Sequence, residues 1–179
     1  MSALRFMGID LSLTSTGVCV DGESIAITSK QRGTARLIEI SEKILGMALS
    51  SRPTAILIEG YSFGSKFSRA HSIGELGGVV KTILVKNGFP IIDVPPTCRA
   101  KFATGKGNAA KKEVLFSVFA ISGINFTGPS ADDMCDAWVL EQMVFARLGE
   151  SSYKWSDEQL SALDKVDWEP LFSALEKGN

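Results

Sequence analysis

The chain has 179 residues, 45% of them hydrophobic and 22% charged, with a formal net charge of -1. That is the composition of one folded globular domain and excludes a disordered chain. No apolar run approaches the ~20 residues a membrane span needs, and the opening MSALRFMGID lacks the apolar stretch of a secretory leader. A cytoplasmic protein with no membrane partner is therefore expected. The cysteines, Cys19, Cys98 and Cys135, are widely spaced, and His71 is the lone histidine. The spacing suggests neither a disulfide framework nor a C-x-x-C metal site, and a single histidine makes a Cys/His zinc site or a histidine-based triad a poor reading, so the chemistry is expected to rest on carboxylates, lysines and hydroxyls.

In chain order, LRFMGID is a nearly continuous apolar run of the kind a strand buried on both faces requires. GVCV and ESIAIT follow, separated by Asp21-Gly22, the strongest short hairpin signal. Thr34 to Leu49 carries apolar residues at helical spacing and ends at Ser51-Arg52-Pro53. TAILIEG is a second buried strand. Ser72 to Asn87 reads as a helix closed by Gly88, with Gly74, Gly77 and Gly78 inside it. FPIIDV is the fifth strand. Asn108 is the expected N-cap of a helix Ala109–Phe119, and Ser130 that of a long helix Ala131–Leu148. The order β-β-β-α-β-α-β-α-α predicts an α/β fold: a mixed five-stranded sheet, three antiparallel strands followed by parallel βαβ units, flanked by helices. Residues 1–149 form this domain. Residues 150–179 are an acidic appendix, with seven acids against three lysines. Trp155 and Trp168 predict that it packs on the same domain.

Two clusters carry the chemistry. Asp10 ends the first strand and Glu59 the fourth; a right-handed crossover makes these strands parallel neighbours, with both acids at the carboxyl edge where α/β sheets build their sites. On the last helix Asp133 and Asp136 are i,i+3 and share one face, with Asp132 the rival for the third position. Four acids converging on one edge repel unless cations neutralise them, and hard oxygen ligands suit Mg²⁺ or Mn²⁺. The second cluster is basic: Arg99, Lys101, Lys106, Lys111 and Lys112 fall within fourteen residues that contain no acid. Lys111 and Lys112 stand in the first turn of their helix, where the dipole disfavours cations, and a phosphate there would compensate. No Walker spacing is present, so no nucleotide cofactor is expected. After Glu59, Tyr61 and Phe63 interleave with Lys66 and Arg69, a pattern suited to stacking on unpaired bases.

GIDLSLTSTGVCV, ILIEGYSFG, ATGKGNAAKKEVL and ADDMCDAWVL, in this order, resemble RuvC-type Holliday junction resolvases, most nearly the small bacteriophage members. The resemblance covers about residues 4–148. It implies a ribonuclease H-like fold, a homodimer acting on four-way DNA junctions, and 5′-phosphate and 3′-hydroxyl nicks placed symmetrically. Forks and flaps are further branched substrates of the same kind. It also implies that Asp10, Glu59, Asp133 and Asp136 are the catalytic, metal-holding tetrad and that Lys111 lies near the cleaved strand. Two ions at such a tetrad suit an in-line displacement. Tyr61, Phe63, Lys66, Arg69, Arg99, Lys101, Lys106 and Lys112 are the expected DNA contacts. Two rivals remain: a non-catalytic junction-binding module, which has no use for four acids, and a fragment of an actin/hexokinase-type phosphotransferase, which needs a second such domain.

Overall fold

The computed structural model describes residues 4–60 and 67–177, with side chains from residue 73 onward in the second stretch. Strands β1 (Phe6–Asp10), β2 (Thr16–Val20) and β3 (Glu23–Ile27) form an antiparallel meander. Asp21 and Gly22 both take positive φ, 53° and 78°, so the second hairpin closes in the mirror-image turn that matches strand twist. Helix α1 (Gly33–Ser51) returns the chain to β4 (Ala55–Glu59), parallel to β1. Helix α2 (Phe67–Lys86) leads to β5 (Ile91–Val94), parallel to β4. The sheet order is β3-β2-β1-β4-β5, the mixed five-stranded sheet that the sequence predicts.

The helices after β5 depart from expectation in two places. Helix α3 (Pro96–Thr104) was not foreseen; Pro96 sits in its first turn, where a missing N–H costs nothing, and Gly105 ends it at φ 83°. Helix α4 (Lys111–Ser122) starts two residues later than predicted. Its N-cap is Ala110 rather than Asn108, because the Glu113 carboxylate reaches back to accept from the Ala110 N–H at 2.6 Å. Helix α5 (Ala131–Leu148) has the predicted bounds. The segment beyond Gly149 folds as α6 (Asp157–Leu160), a short 3₁₀ turn (Leu163–Lys165) and α7 (Glu169–Lys177). Among the described residues, no helix is long and apolar enough to cross a membrane. All three cysteines are free and buried.

Side chains alternate between two cores, one on each sheet face. Met7, Ile9, Val18, Ile56 and Ile58 meet Ile40, Ile44 and Ala48 of α1 and Leu76, Val80 and Leu84 of α2. Phe6, Cys19, Ala55 and Leu57 meet α3, α4 and α5, together with Ala162, Leu163, Val166, Trp168 and Leu171 of the C-terminal segment. The same alternation decides where the strand-end acids point. Asp10 shares the face of Phe6 and Gly8, and Glu59 that of Ala55 and Leu57, so both lie on the side covered by α5.

Helix α5 rests on β1 and β2 with backbone against backbone. A Cβ on Gly8 would lie 2.0 Å from the Ala137 carbonyl oxygen, and one on Gly17 would lie 1.9 Å from that of Asp133. Neither neighbour is a side chain that can swing aside. Replacing Gly17 by Ala must push α5 off the sheet and should cost about 1–3 kcal/mol or more. Gly46, exposed in the middle of α1 with nothing within 4 Å of a Cβ, is the contrasting site. There Ala should stabilise by about 0.5–1 kcal/mol. Urea unfolding of the two variants tests both signs.

Candidate active site

The carboxyl edge of the sheet is built by register. Phe6 to Ile9 pair with Ala55 to Ile58, so the next residues, Asp10 and Glu59, end adjacent strands side by side. Asp10 also stands opposite Gly17 on β2, and Gly17 lies directly under the Asp133 carbonyl. The close approach of α5 thus brings its acidic first turns over the two strand ends. Hydroxyls fix the intervening turn: Thr16 Oγ1 donates to the Ser12 carbonyl at 2.7 Å and accepts from the Ser12 N–H at 3.1 Å. Ser15 Oγ donates to Ser130 Oγ at 2.7 Å, tying this turn to the start of α5. Ser130 stands at the N-cap as expected, but its side chain makes no cap bond.

Arg99 lies inside this cluster. Its Nε donates to Glu59 Oε2 at 2.6 Å and its Nη1 to Asp136 Oδ1 at 2.7 Å. The three side chains are only 12%, 15% and 7% exposed, so the pairs are desolvated. Burial works against the Arg99 charge, but Glu59 and Asp136 more than offset it and hold the guanidinium firmly protonated. Burial also raises Asp10 well above the usual carboxylate range, with Glu59 and Asp136 adding repulsion. Asp136 is pushed up to about 7, chiefly by burial, with Arg99 opposing and Glu59 adding to it. Asp133 is raised more modestly by burial, against the nearby Ser15 hydroxyl.

Asp132 has a cation partner of its own. It pairs with Lys111 at the rim, which lowers the Asp132 carboxyl and raises the Lys111 ammonium. Asp133 instead adds to the field on Asp10. Lys111 is close enough to feel Asp133 and Asp136 as well. The basic run therefore does not form one outward patch. Arg99 points inward, Lys101 pairs with Glu158 of the C-terminal segment at 2.7 Å, and Lys106 and Lys112 are exposed. Tyr61, Phe63 and Lys66, and the side chain of Arg69, lie outside the described residues.

All the converging donors are carboxylate oxygens, the set a hard divalent cation prefers. Among the described residues, no three such groups stand ready around one point, and Arg99 lies between Glu59 and Asp136. Sequence reasoning missed this inward role. The helical signal of Pro96 and Gly105 was available, and a helix there would have turned one side of the basic run towards the sheet.

Without added cations, the raised acids give folding a definite pH dependence. A carboxyl whose folded pKa exceeds its unfolded value takes up a proton on folding. Its contribution is present at low pH and is lost as pH rises from about 4 through about 7 for Asp136, which faces Arg99, Glu59, Lys111 and Asp132. The melting temperature in EDTA should fall across that window, and Asp136→Asn should flatten the fall. Thermal melts of both proteins in a series of buffers measure it.

No family model matches the chain. It is 26% identical to the crossover junction endodeoxyribonuclease RuvC of Carboxydothermus hydrogenoformans over 156 residues, covering 82% of this chain and 98% of the relative. With the RuvC of Prochlorococcus marinus strain NATL2A, identity is 30% over 146 residues, 75% of this chain and 93% of the relative. The fold superposes on T. thermophilus RuvC in complex with Holliday junction substrate with a TM-score of 0.65 and 25% identity, over 86% of this chain and all of that one. Agreement of that extent in sequence and fold, over nearly the full length of each relative, means that the chain belongs to the RuvC family of crossover junction endodeoxyribonucleases.

Proposed function

We propose that the chain is a divalent-metal-dependent endonuclease that cuts Holliday junctions and other branched DNA by paired, symmetric nicks, leaving 5′-phosphate and 3′-hydroxyl ends. The observation that carries this is the convergence of Asp10, Glu59 and Asp136, from β1, β4 and α5, at one sheet edge inside a RuvC-family fold. Asp133 completes the set, because it faces Asp10 while Asp132 is engaged by Lys111. Mg²⁺ or Mn²⁺, two ions per site, would supply water activation and stabilisation of the leaving oxygen. The low exposure of Glu59 and Asp136 keeps solvent away and strengthens their hold on a cation. Lys111, exposed on one side and within reach of the acids on the other, offsets charge on the phosphate at the rim. Lys106 and Lys112 contact the DNA backbone beyond it, while Lys101 reaches a phosphate only by leaving Glu158. The setting is cytoplasmic.

The test is cleavage of labelled four-way junctions, forks, flaps and linear duplex in Mg²⁺ and in Mn²⁺. Asp10→Asn and Asp136→Asn should lose cleavage yet keep junction affinity, since an amide neither ligates the metal well nor repels phosphate. Lys111→Ala should cut more slowly by on the order of 10²-fold, with affinity little changed. Wild-type nicking by either acid variant would overturn the site.

Paired nicks need two sites related by symmetry, which an isologous homodimer provides from one chain. Gly77 is buried within the protomer, whereas Gly78 is exposed beside Val79 on the outer side of α2 and Val85 is 59% exposed. This face of α2 is the proposed contact. Light scattering coupled to size exclusion should give twice the chain mass, free and on a junction. A monomer in both states would leave a single-strand nickase.

A further inference from the structure

Arg99 comes from a helix that leaves it little freedom. Helix α3 is closed by Gly105 in the left-handed region. Its last turn is held from below by the C-terminal segment, where Gln159 Nε2 donates to the carbonyls of Phe102 and Ala103 at 3.0 and 3.1 Å. The Phe102 ring lies 4.2 Å from that of Trp155. From this base the guanidinium bridges carboxylates of two other elements, Glu59 on β4 and Asp136 on α5, through two different nitrogens. Asp10 attracts it as well. These are three of the four acids assigned above to the metal.

We propose that Arg99 is the built-in counter-cation of this site: it holds Glu59 and Asp136 together in the metal-free protein and competes with the divalent ion for them. The inference rests on the reading of the acids as a metal site. The guanidinium holds Glu59 Oε2 and Asp136 Oδ1, so a metal ion bound through those oxygens must displace it, and one bound through the remaining oxygens must sit against its positive charge. The buried cluster is thereby never left uncompensated, which would be costly for desolvated carboxylates. The consequence is a metal affinity lower than the bare acids would give.

The experiment is Mn²⁺ binding to the DNA-free protein, followed by calorimetry and by the electron paramagnetic resonance signal of free Mn²⁺, alongside melting temperatures in EDTA and in Mn²⁺. Arg99→Gln should melt lower in EDTA, bind Mn²⁺ more tightly than wild type by on the order of tenfold, and gain more melting temperature from the ion. Arg99→Lys, with one ammonium in place of the fork, should fall between the two. If Arg99→Gln folds only with Mn²⁺ present, that supports the proposal. If it does not fold at all, Arg99→Lys decides: tighter binding than wild type supports competition and unchanged binding overturns it. Equal or weaker Mn²⁺ binding by a folded Arg99→Gln also overturns it. The Asp10→Asn/Asp136→Asn double variant separates the premise from the inference. If it binds Mn²⁺ as wild type does, or if no variant binds the ion, the metal-site reading fails and takes the competition with it.

Discussion

Helix α5 lies so close to the sheet that its carbonyls occupy the space where side chains on Gly8 and Gly17 would be. Much of the molecule follows from that contact. The acids of α5 are on its first two turns, and a helix held off by even one methyl group would carry them away from the ends of β1 and β4. Beyond the site, the same helix supplies Trp138, Val139, Met143 and Val144 to the core, so its position also sets the packing of α3, α4 and the C-terminal segment. Close packing transmits such a displacement rather than absorbing it. At its far side, buried Glu141 accepts from the Gly22 N–H at 3.1 Å and from the Cys19 thiol, fastening α5 to the β2–β3 turn. One end of the helix makes the site and the middle of it locks the hairpin.

The second constraint is charge. Bringing carboxylates together in a poorly solvated corner costs free energy that hydrophobic packing must offset. The protein divides the task between two cations of different kind. Arg99, planar and forked, sits inside and satisfies two carboxylates at once through two different nitrogens. Lys111 stays at the rim, 70% exposed, holding the flanking Asp132 rather than a strand-end acid. Its position in the first turn of α4, unfavourable with respect to that helix's dipole, is compensated by α5 acids rather than by anything in its own helix.

The sheet was legible because its signals are local: a turn dipeptide between apolar runs, strands of continuous apolar residues, and crossovers long enough for one helix each. Even the pairing of Asp10 with Glu59 followed from strand ends and crossover handedness. Arg99 was not legible as a partner of those acids, since it reads as the first member of a basic run and its partners lie 37 and 40 residues away. Gly8 and Gly17 were equally silent, because a glycine in a strand signals close approach only once the approaching helix is known. Asn108 failed as a cap for a further reason. A glutamate at the third helical position competes for the same backbone donors, and Glu113 won.

The segment after Gly149 has a physical role that its composition obscured. Trp155, Trp168 and Leu171 are drawn into the packing against α3 and α5. Gln159 caps α3 by donating to the Phe102 carbonyl and sharing that of Ala103 with the Ser117 hydroxyl. Glu158 meanwhile neutralises Lys101 on the same helix. The segment therefore does two things to α3: it anchors the helix that presents Arg99, and it removes one cation from the surface next to the proposed DNA path. Positive charge is left concentrated at Lys106, Lys111 and Lys112, along the loop and first turn leading to the acids. A phosphate backbone approaching this face would meet that short track rather than a broad basic surface, and the track ends at the carboxylates.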